Sequence, residues 1–334
     1  MLQNSFAQGK KNTREYGTDR FQELNALLER NQKVFGSDVV ALAATDTVVF
    51  KKEMGELDSK TAVPLAGSSA FLTVALIMEL VDEGKLSLDD KVSQFIPVYS
   101  TYGKNYITLR HCLTNYTGIQ SDQKFFEKKK FESLEAEVES FAKKEIQTNP
   151  GTEFRYSQMG ISIAGRIAEI VMKKKFDQLI KQKILNPLGM SKTTFSTLDG
   201  SAVDPAWGAR SSALDYLRFL QMLLNKGQYN GKQVLSENAI LEMRKISAAT
   251  ATIKSAPKTV TGLDYALGTW VLEANGNAAN VLIAPSYTGS WIQIDWCRNY
   301  AFVLLTKNES GDQKLQPYLD MKASIDDRIR TKCR

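Results

Sequence analysis

Two serines, Ser68 and Ser69, stand at the head of a long apolar run in VPLAGSSAFLTVALIMEL, residues 63–80. A serine hydroxyl attacks an acyl group at neutral pH only when a base beside it takes the proton. His111 is the only histidine in the chain, so any Ser-His-Asp triad or His-rich metal site has to be built on it. It lies in ITLRHCLTNYTGI, at the start of a helical pattern and just ahead of a Thr117-Gly118 turn. It reads as a hydrogen-bonded histidine that fixes that turn. Three cysteines, Cys112, Cys297 and Cys333, have no metal-ligand spacing and are odd in number. They imply neither a zinc site nor a disulfide framework.

The elements that must position these residues follow from hydrophobic periodicity. Phe21, Leu24, Leu27 and Leu28 have helical spacing ahead of a stop at Gly36, and DVVALAATDTVVFKKEMG reads as a hairpin turning at Thr45-Asp46. From Ser68 to Glu83 nearly every face is apolar, which predicts a helix inside the protein, ended by Gly84. The segments SLEAEVESFAKKEI, MGISIAGRIAEIVM and ALDYLRFLQMLLNKG keep helical spacing through the middle of the chain. From Leu263 the pattern returns to strands in YALGTWVLEA, NVLIAPSYTG, SWIQIDW and NYAFVLLTKN, and QPYLDMKASIDDRI closes as a helix. Strands at both ends with helices between them predict that the two ends share one sheet.

With 334 residues and 43% hydrophobic content, the chain can bury a substantial core. Its net charge of +6 comes partly from lysine runs such as EKKKFE and VMKKKFD, which have acids among them and no interleaved aromatics. These are solvated helix faces, and no nucleic-acid partner is expected. No stretch of eighteen apolar residues is present, so no membrane span is expected. The start MLQNSFAQGKKN is too short and polar to read as a signal peptide.

Five stretches, spread between about residues 37 and 308, together resemble the serine β-lactamase and penicillin-binding-protein-like family, near its class C and esterase-type members. They are LIMELVDEGKLSLDDKVSQFIP, ITLRHCLTNYTGI, PGTEFRYSQMGISIAGRIAEIV running on to NPLGM, SSALDYLRFLQMLLNKG, and the region around Tyr287-Thr288-Gly289. The resemblance implies an α/β (α+β) fold of the β-lactamase/transpeptidase type, an antiparallel sheet flanked by helices and formed from both termini. It further implies an inserted all-helical domain, with residues 1–66 plus 256–334 as the sheet domain, 67–255 as the helical domain and the site in the cleft between. No metal or cofactor is implied, and the compartment would be periplasmic or secreted.

In that family a serine opens a buried helix with a lysine three residues on, whose amine helps take the hydroxyl proton. A tyrosine, usually followed two residues later by asparagine, is the second base. A Lys/His-Thr-Gly strand edge supplies a cation and part of the oxyanion hole. Counting back sixteen residues from Leu86 puts the lysine position at Ala70 and the serine position at Gly67. In other registers Ser68 pairs with Phe71 and Ser69 with Leu72, so no serine here has the lysine. Tyr156 matches the family tyrosine, Gln158 replaces the asparagine, and Tyr287 replaces the strand cation beside Thr288 and Gly289, the expected oxyanion wall.

Three readings follow. In the first, the protein has lost acyl-enzyme catalysis and keeps its cleft for a small-molecule or peptide ligand. In the second, it is an active esterase, peptidase or β-lactamase-like hydrolase in which Ser68 attacks and Tyr156 is the base. That needs a cation, Arg210 or a lysine, to bring Tyr156 below its ordinary pKa of about 10. In the third, Tyr156, Tyr287, Trp207 and Trp291 form an aromatic wall that binds without chemistry.

Overall fold

The computed structural model describes residues 20–121, 130–197, 199–307, 314–329 and 333. The segment MLQNSFAQGKKN and the first half of EKKKFE lie outside the described residues, whereas Lys173, Lys174 and Lys175 of the second run are exposed.

Helix α1 (Gln22–Arg30) is followed by β1 (Val39–Ala44) and β2 (Val48–Met54), which pair antiparallel around Thr45-Asp46. Next come α2 (Ser69–Asp82), the short α3 (Leu109–Leu113), α4 (Leu134–Ala142), α5 (Met159–Met172) and α6 (Ala213–Leu224). The chain then returns as β3 (Asp264–Tyr265), β4 (Trp270–Asn275), β5 (Ala278–Pro285), β6 (Trp291–Asp295) and β7 (Tyr300–Thr306), and α7 (Gln316–Asp326) follows. The seven strands form one antiparallel sheet in the order β2-β1-β7-β6-β5-β4-β3. Its β1–β7 pairing joins strands from the two ends of the sequence, with Val39 opposite Thr306 and Ala44 opposite Ala301.

Successive strand residues face opposite sides of a sheet, and here both sides are covered. Val40, Leu42, Ile292, Ile294, Val303 and Leu305 pack into the core that holds α2, α5 and α6. Their alternates Val39, Ala41, Ala43, Trp291, Phe302 and Leu304 face Leu24 and Leu28 of α1 and Tyr318, Met321 and Ile325 of α7. Helix α2 lies deep in the first core, buried from Ser69 through Met78, which is why its sequence shows no polar stripe.

One expectation from the sequence is corrected. Cys297 and Cys333 form a disulfide, with their Cα atoms 5.1 Å apart. Cys112 is the odd residue, a free and fully buried thiol whose pKa burial pushes up. The pairing is set by tertiary approach: Cys297 sits in the β6–β7 turn, where Cys333, beyond α7 in sequence, meets it. Spacing over 36 residues carries no sign of it. Next to the bridge, Lys322 contacts Glu273 and Asp326 at 2.5 Å each, and Arg298 contacts Glu273 and Asp295 at 2.9 Å and Asp326 at 3.4 Å. Among the described residues no helix is long and apolar enough to cross a membrane.

Candidate active site

The turn that leads into α2, Ala66–Ser68, lies against the end of β5. Ser68 is fully buried, and its hydroxyl donates to the Ala284 carbonyl at 2.6 Å. Ser69 is also fully buried and its Oγ accepts from the Ala209 amide at 3.1 Å. Both hydroxyls tie the head of the helix to its neighbours. Position 67 is different: a Cβ built on Gly67 would come 3.3 Å from the Tyr156 Oη and 3.2 Å from the Pro285 carbonyl oxygen. It is therefore the glycine, and not either serine, that faces the tyrosine. Ala70, one turn further on, is nearly buried and carries only a methyl group.

Tyr156 is held by its backbone. Its amide donates to the Ser255 carbonyl at 3.0 Å, the next amide donates to the Asn115 side chain at 3.0 Å, and Phe154 packs between Tyr265 and Trp270. Asn115 in turn donates to the Tyr265 hydroxyl at 3.2 Å. Burial raises the Tyr156 pKa to about 12, although a hydrogen bond from Trp207 works in the opposite direction. At that value roughly one molecule in 10⁵ carries the phenolate at pH 7. Arg210 is exposed and donates to the Ala62 carbonyl at 3.0 Å. Gln158 immediately precedes α5, where its carbonyl accepts from the Ser162 amide at 3.1 Å.

Tyr287-Thr288-Gly289 was expected on a strand edge, but it forms the tight turn between β5 and β6. The Ser286 amide donates to the Ser290 carbonyl at 2.9 Å and Gly289 takes a φ of +84°, a left-handed value that suits glycine. The Thr288 amide is paired with Ser286 Oγ at 3.2 Å and the Gly289 amide with the Ser286 carbonyl at 3.0 Å. These two N–H groups of the expected oxyanion wall are thus used inside the turn. Proline at 285 and the Ser286 hydroxyl, which caps the turn, explain why the strand stops there.

Residues 18–324 match the family model described as Beta-lactamase. The chain belongs to the beta-lactamase family. Protein flp of Staphylococcus aureus (strain MW2) is 30% identical over 174 residues, which is 51% of this chain and 34% of that protein. The chain thus spans about a third of the length of that curated relative. Among solved structures, EstCE1, a hydrolase with promiscuous acyltransferase activity, superposes with a TM-score of 0.77 at 18% identity and covers 92% of this chain and 98% of its own. The octameric penicillin-binding protein homologue from Pyrococcus abyssi gives a TM-score of 0.74 at 20% identity, over 90% of this chain and 76% of its own. At these identities the two structures speak for the fold.

Within this beta-lactamase-family fold, Trp207 joins the groups around Gly67. Its indole bonds to Tyr156 and its ring stacks on Tyr287 with centroids 5.3 Å apart. Trp291 does not belong there: it is core, stacked at 4.3 Å on Tyr318 on the other face of the sheet. His111 caps α3, its Nδ1 accepting from the Thr108 amide at 3.3 Å while Thr108 Oγ1 accepts from the His111 amide at 3.2 Å. Tyr318 is the residue that sequence reasoning missed, and its hydroxyl donates to the Gly289 carbonyl at 2.9 Å. Only its place in the closing helix QPYLDMKASIDDRI could have pointed to it. Among the described residues no cluster of three His, Cys, Asp or Glu side chains could hold a metal ion.

The raised Tyr156 pKa has a sign that can be tested. A phenol whose folded pKa lies above its unfolded value of about 10 stabilises the fold fully below pH 10, and that contribution is lost as pH rises toward 12. Tyr156→Phe should therefore lose less stability than the wild type between pH 10 and 12 in urea melts. Parallel curves over that range would show that the phenol is not held neutral by the fold.

Proposed function

We propose that this member of the beta-lactamase family has given up acyl-enzyme turnover and binds a small-molecule or peptide ligand in the cleft between its sheet domain (1–66 plus 256–334) and its helical domain (67–255). The observation that carries this reading is the glycine facing Tyr156: the Cβ direction of Gly67 aims at the phenol, yet the residue has no side chain. Ala70 places no amine one turn on. A hydroxyl without a base is almost wholly protonated and a poor nucleophile, and loss of both nucleophile and base removes several powers of ten in rate. Ser68 as an alternative nucleophile has little support, because its hydroxyl is buried on Ala284, and Tyr156 is a weak candidate base with a pKa near 12. The stacked Trp207–Tyr287 pair favours an aromatic binding wall in this cleft. The disulfide is in keeping with an oxidising, periplasmic or secreted setting.

Intact-protein mass after incubation with a chromogenic cephalosporin or p-nitrophenyl acetate tests the loss of chemistry. No acyl adduct and no enzyme-dependent turnover are expected, and Gly67→Ser alone should restore neither. That variant places a Cβ 3.2 Å from the Pro285 carbonyl oxygen and 3.3 Å from Tyr156 Oη, so its melting midpoint reports whether these neighbours can give way. A stable adduct mapping to Ser68 in the wild type would sink the proposal. Ligand binding is read separately, as a raised melting midpoint in a thermal-shift screen of β-lactams, neutral esters and peptidoglycan fragments.

A further inference from the structure

The turn bearing Tyr287 is held from the opposite face of the sheet. Helix α7 lies there alongside β6. Near its first turn the Tyr318 hydroxyl donates to the Gly289 carbonyl at 2.9 Å, and the Tyr318 ring stacks on Trp291 at 4.3 Å with the planes 10° apart. At the other end of the helix, Asp326 accepts from the Tyr300 hydroxyl at 2.8 Å and meets Lys322 and Arg298. Trp291, on which Tyr318 stacks, is hydrogen-bonded through to the far end of the helix: Trp291 Nε1 donates to Gln293 at 3.2 Å, and Gln293 donates to the Tyr300 hydroxyl at 2.7 Å. Trp291, Gln293, Tyr300 and Tyr318 are all buried, so these bonds are made away from competing water. Beyond the helix, Cys333 is bonded to Cys297, one residue before Arg298.

We propose that α7 is a strut fastened at its far end by the Cys297–Cys333 bridge, and that through Tyr318 it positions the Tyr287-Thr288-Gly289 turn, so that thiol–disulfide exchange at the bridge sets how ordered the turn is. The physical reason is loop closure. While the bridge is intact, a helix that lifts from the sheet remains tethered on both sides and gains little freedom; once the bridge is open, that second tether is lost and lifting costs less. Both sulfur-bearing residues are half-buried rather than enclosed, within reach of a small dithiol. The reaction is a two-electron exchange. A dithiol thiolate attacks one sulfur, the second dithiol sulfur displaces it, and the protein is left with two thiols while the reductant closes to a cyclic disulfide.

Amide hydrogen exchange read by mass spectrometry on the whole folded protein tests this without any ligand. Dithiothreitol should accelerate exchange at least tenfold more in peptides covering 316–326 and 286–291 together than in the β1–β2 hairpin, which feels only the global loss of stability; uniform acceleration along the chain would overturn the strut. Tyr318→Phe should accelerate 286–291 with the bridge intact. Exchange that speeds up only after residue 326 on reduction would overturn it too, as would a 286–291 turn indifferent to Tyr318→Phe. Reduction of the wild-type protein needs no variant to fold, and Cys297→Ser with Cys333→Ser should reproduce its pattern.

Discussion

Opening the Cys297–Cys333 bridge is expected to lower the free energy of unfolding by about 4 kcal/mol, the loop-entropy value for a cross-link closing some 36 residues. The bridge closes a loop that contains β7, a central strand of the sheet, and α7, which covers one of its faces. In the unfolded chain this loop is constrained only while the bridge exists, so most of this loss comes from releasing the unfolded state. Urea unfolding of the oxidised protein, the dithiothreitol-treated protein and the Cys297→Ser/Cys333→Ser variant would measure the difference. The variant and the reduced protein should agree, since both report the same lost constraint. A fall below about 1 kcal/mol in both would mean that the closed loop is already restricted when unfolded, and the entropic account would fail.

That prediction rests on a contact invisible in the sequence, and the contrast with what was visible is instructive. The β1–β2 hairpin and the helices MGISIAGRIAEIVM and ALDYLRFLQMLLNKG could be read because each shows in local sequence pattern, and the one sheet shared by both ends followed from strand patterns at both ends and the family resemblance. The solvent-free character of α2 was legible for the same reason. Pairings across space were not. An odd cysteine count concealed a bridge because Cys112 is enclosed in the first core and has no partner to meet. Tyr287-Thr288-Gly289 looked like a strand because of its neighbours' composition, whereas the Ser286 hydroxyl and the Gly289 conformation make it a turn. Around Gly67, the residue types were readable, but the approach of Tyr156 and Pro285 to that glycine is a tertiary distance. The same holds for Trp207 and Trp291, identical in type and equally plausible as wall residues; one lies at Tyr156 and the other behind the sheet.

The second large effect is expected at the charges that anchor the same helix. Lys322 is 5% exposed and its ammonium lies 2.5 Å from both Glu273 and Asp326. Lys322→Met keeps the apolar stem but leaves Glu273, Asp295 and Asp326 to Arg298 alone. Removing one partner of a buried ion pair typically costs about 3–5 kcal/mol, because the charges left behind stay desolvated. The lower end is the better expectation, since Glu273 is partly solvated. Burial tends to raise the Glu273 pKa, but hydrogen bonds from Lys322 and Arg298 outweigh it and the net shift is downward. A carboxylate depressed in the folded state stabilises above its unfolded pKa of about 4.3, and that stabilisation is lost as pH falls through the folded value. Asp295 has the opposite sign: burial raises its pKa, so acid relieves its cost. Lys322→Met removes the first effect and enlarges the second. The gap between wild type and variant should therefore be widest near neutrality and narrow below about pH 4, as followed by urea midpoints across the acid range. Adding Glu273→Gln to Lys322→Met should recover part of the loss, because the two residues share one contact and their effects are not additive. If Lys322→Met instead costs nothing at pH 7 and the gap does not change with acid, the cluster does not hold α7 to the sheet. Tyr318 would then depend on the apolar contacts of Met321 and Ile325 for its reach to Gly289.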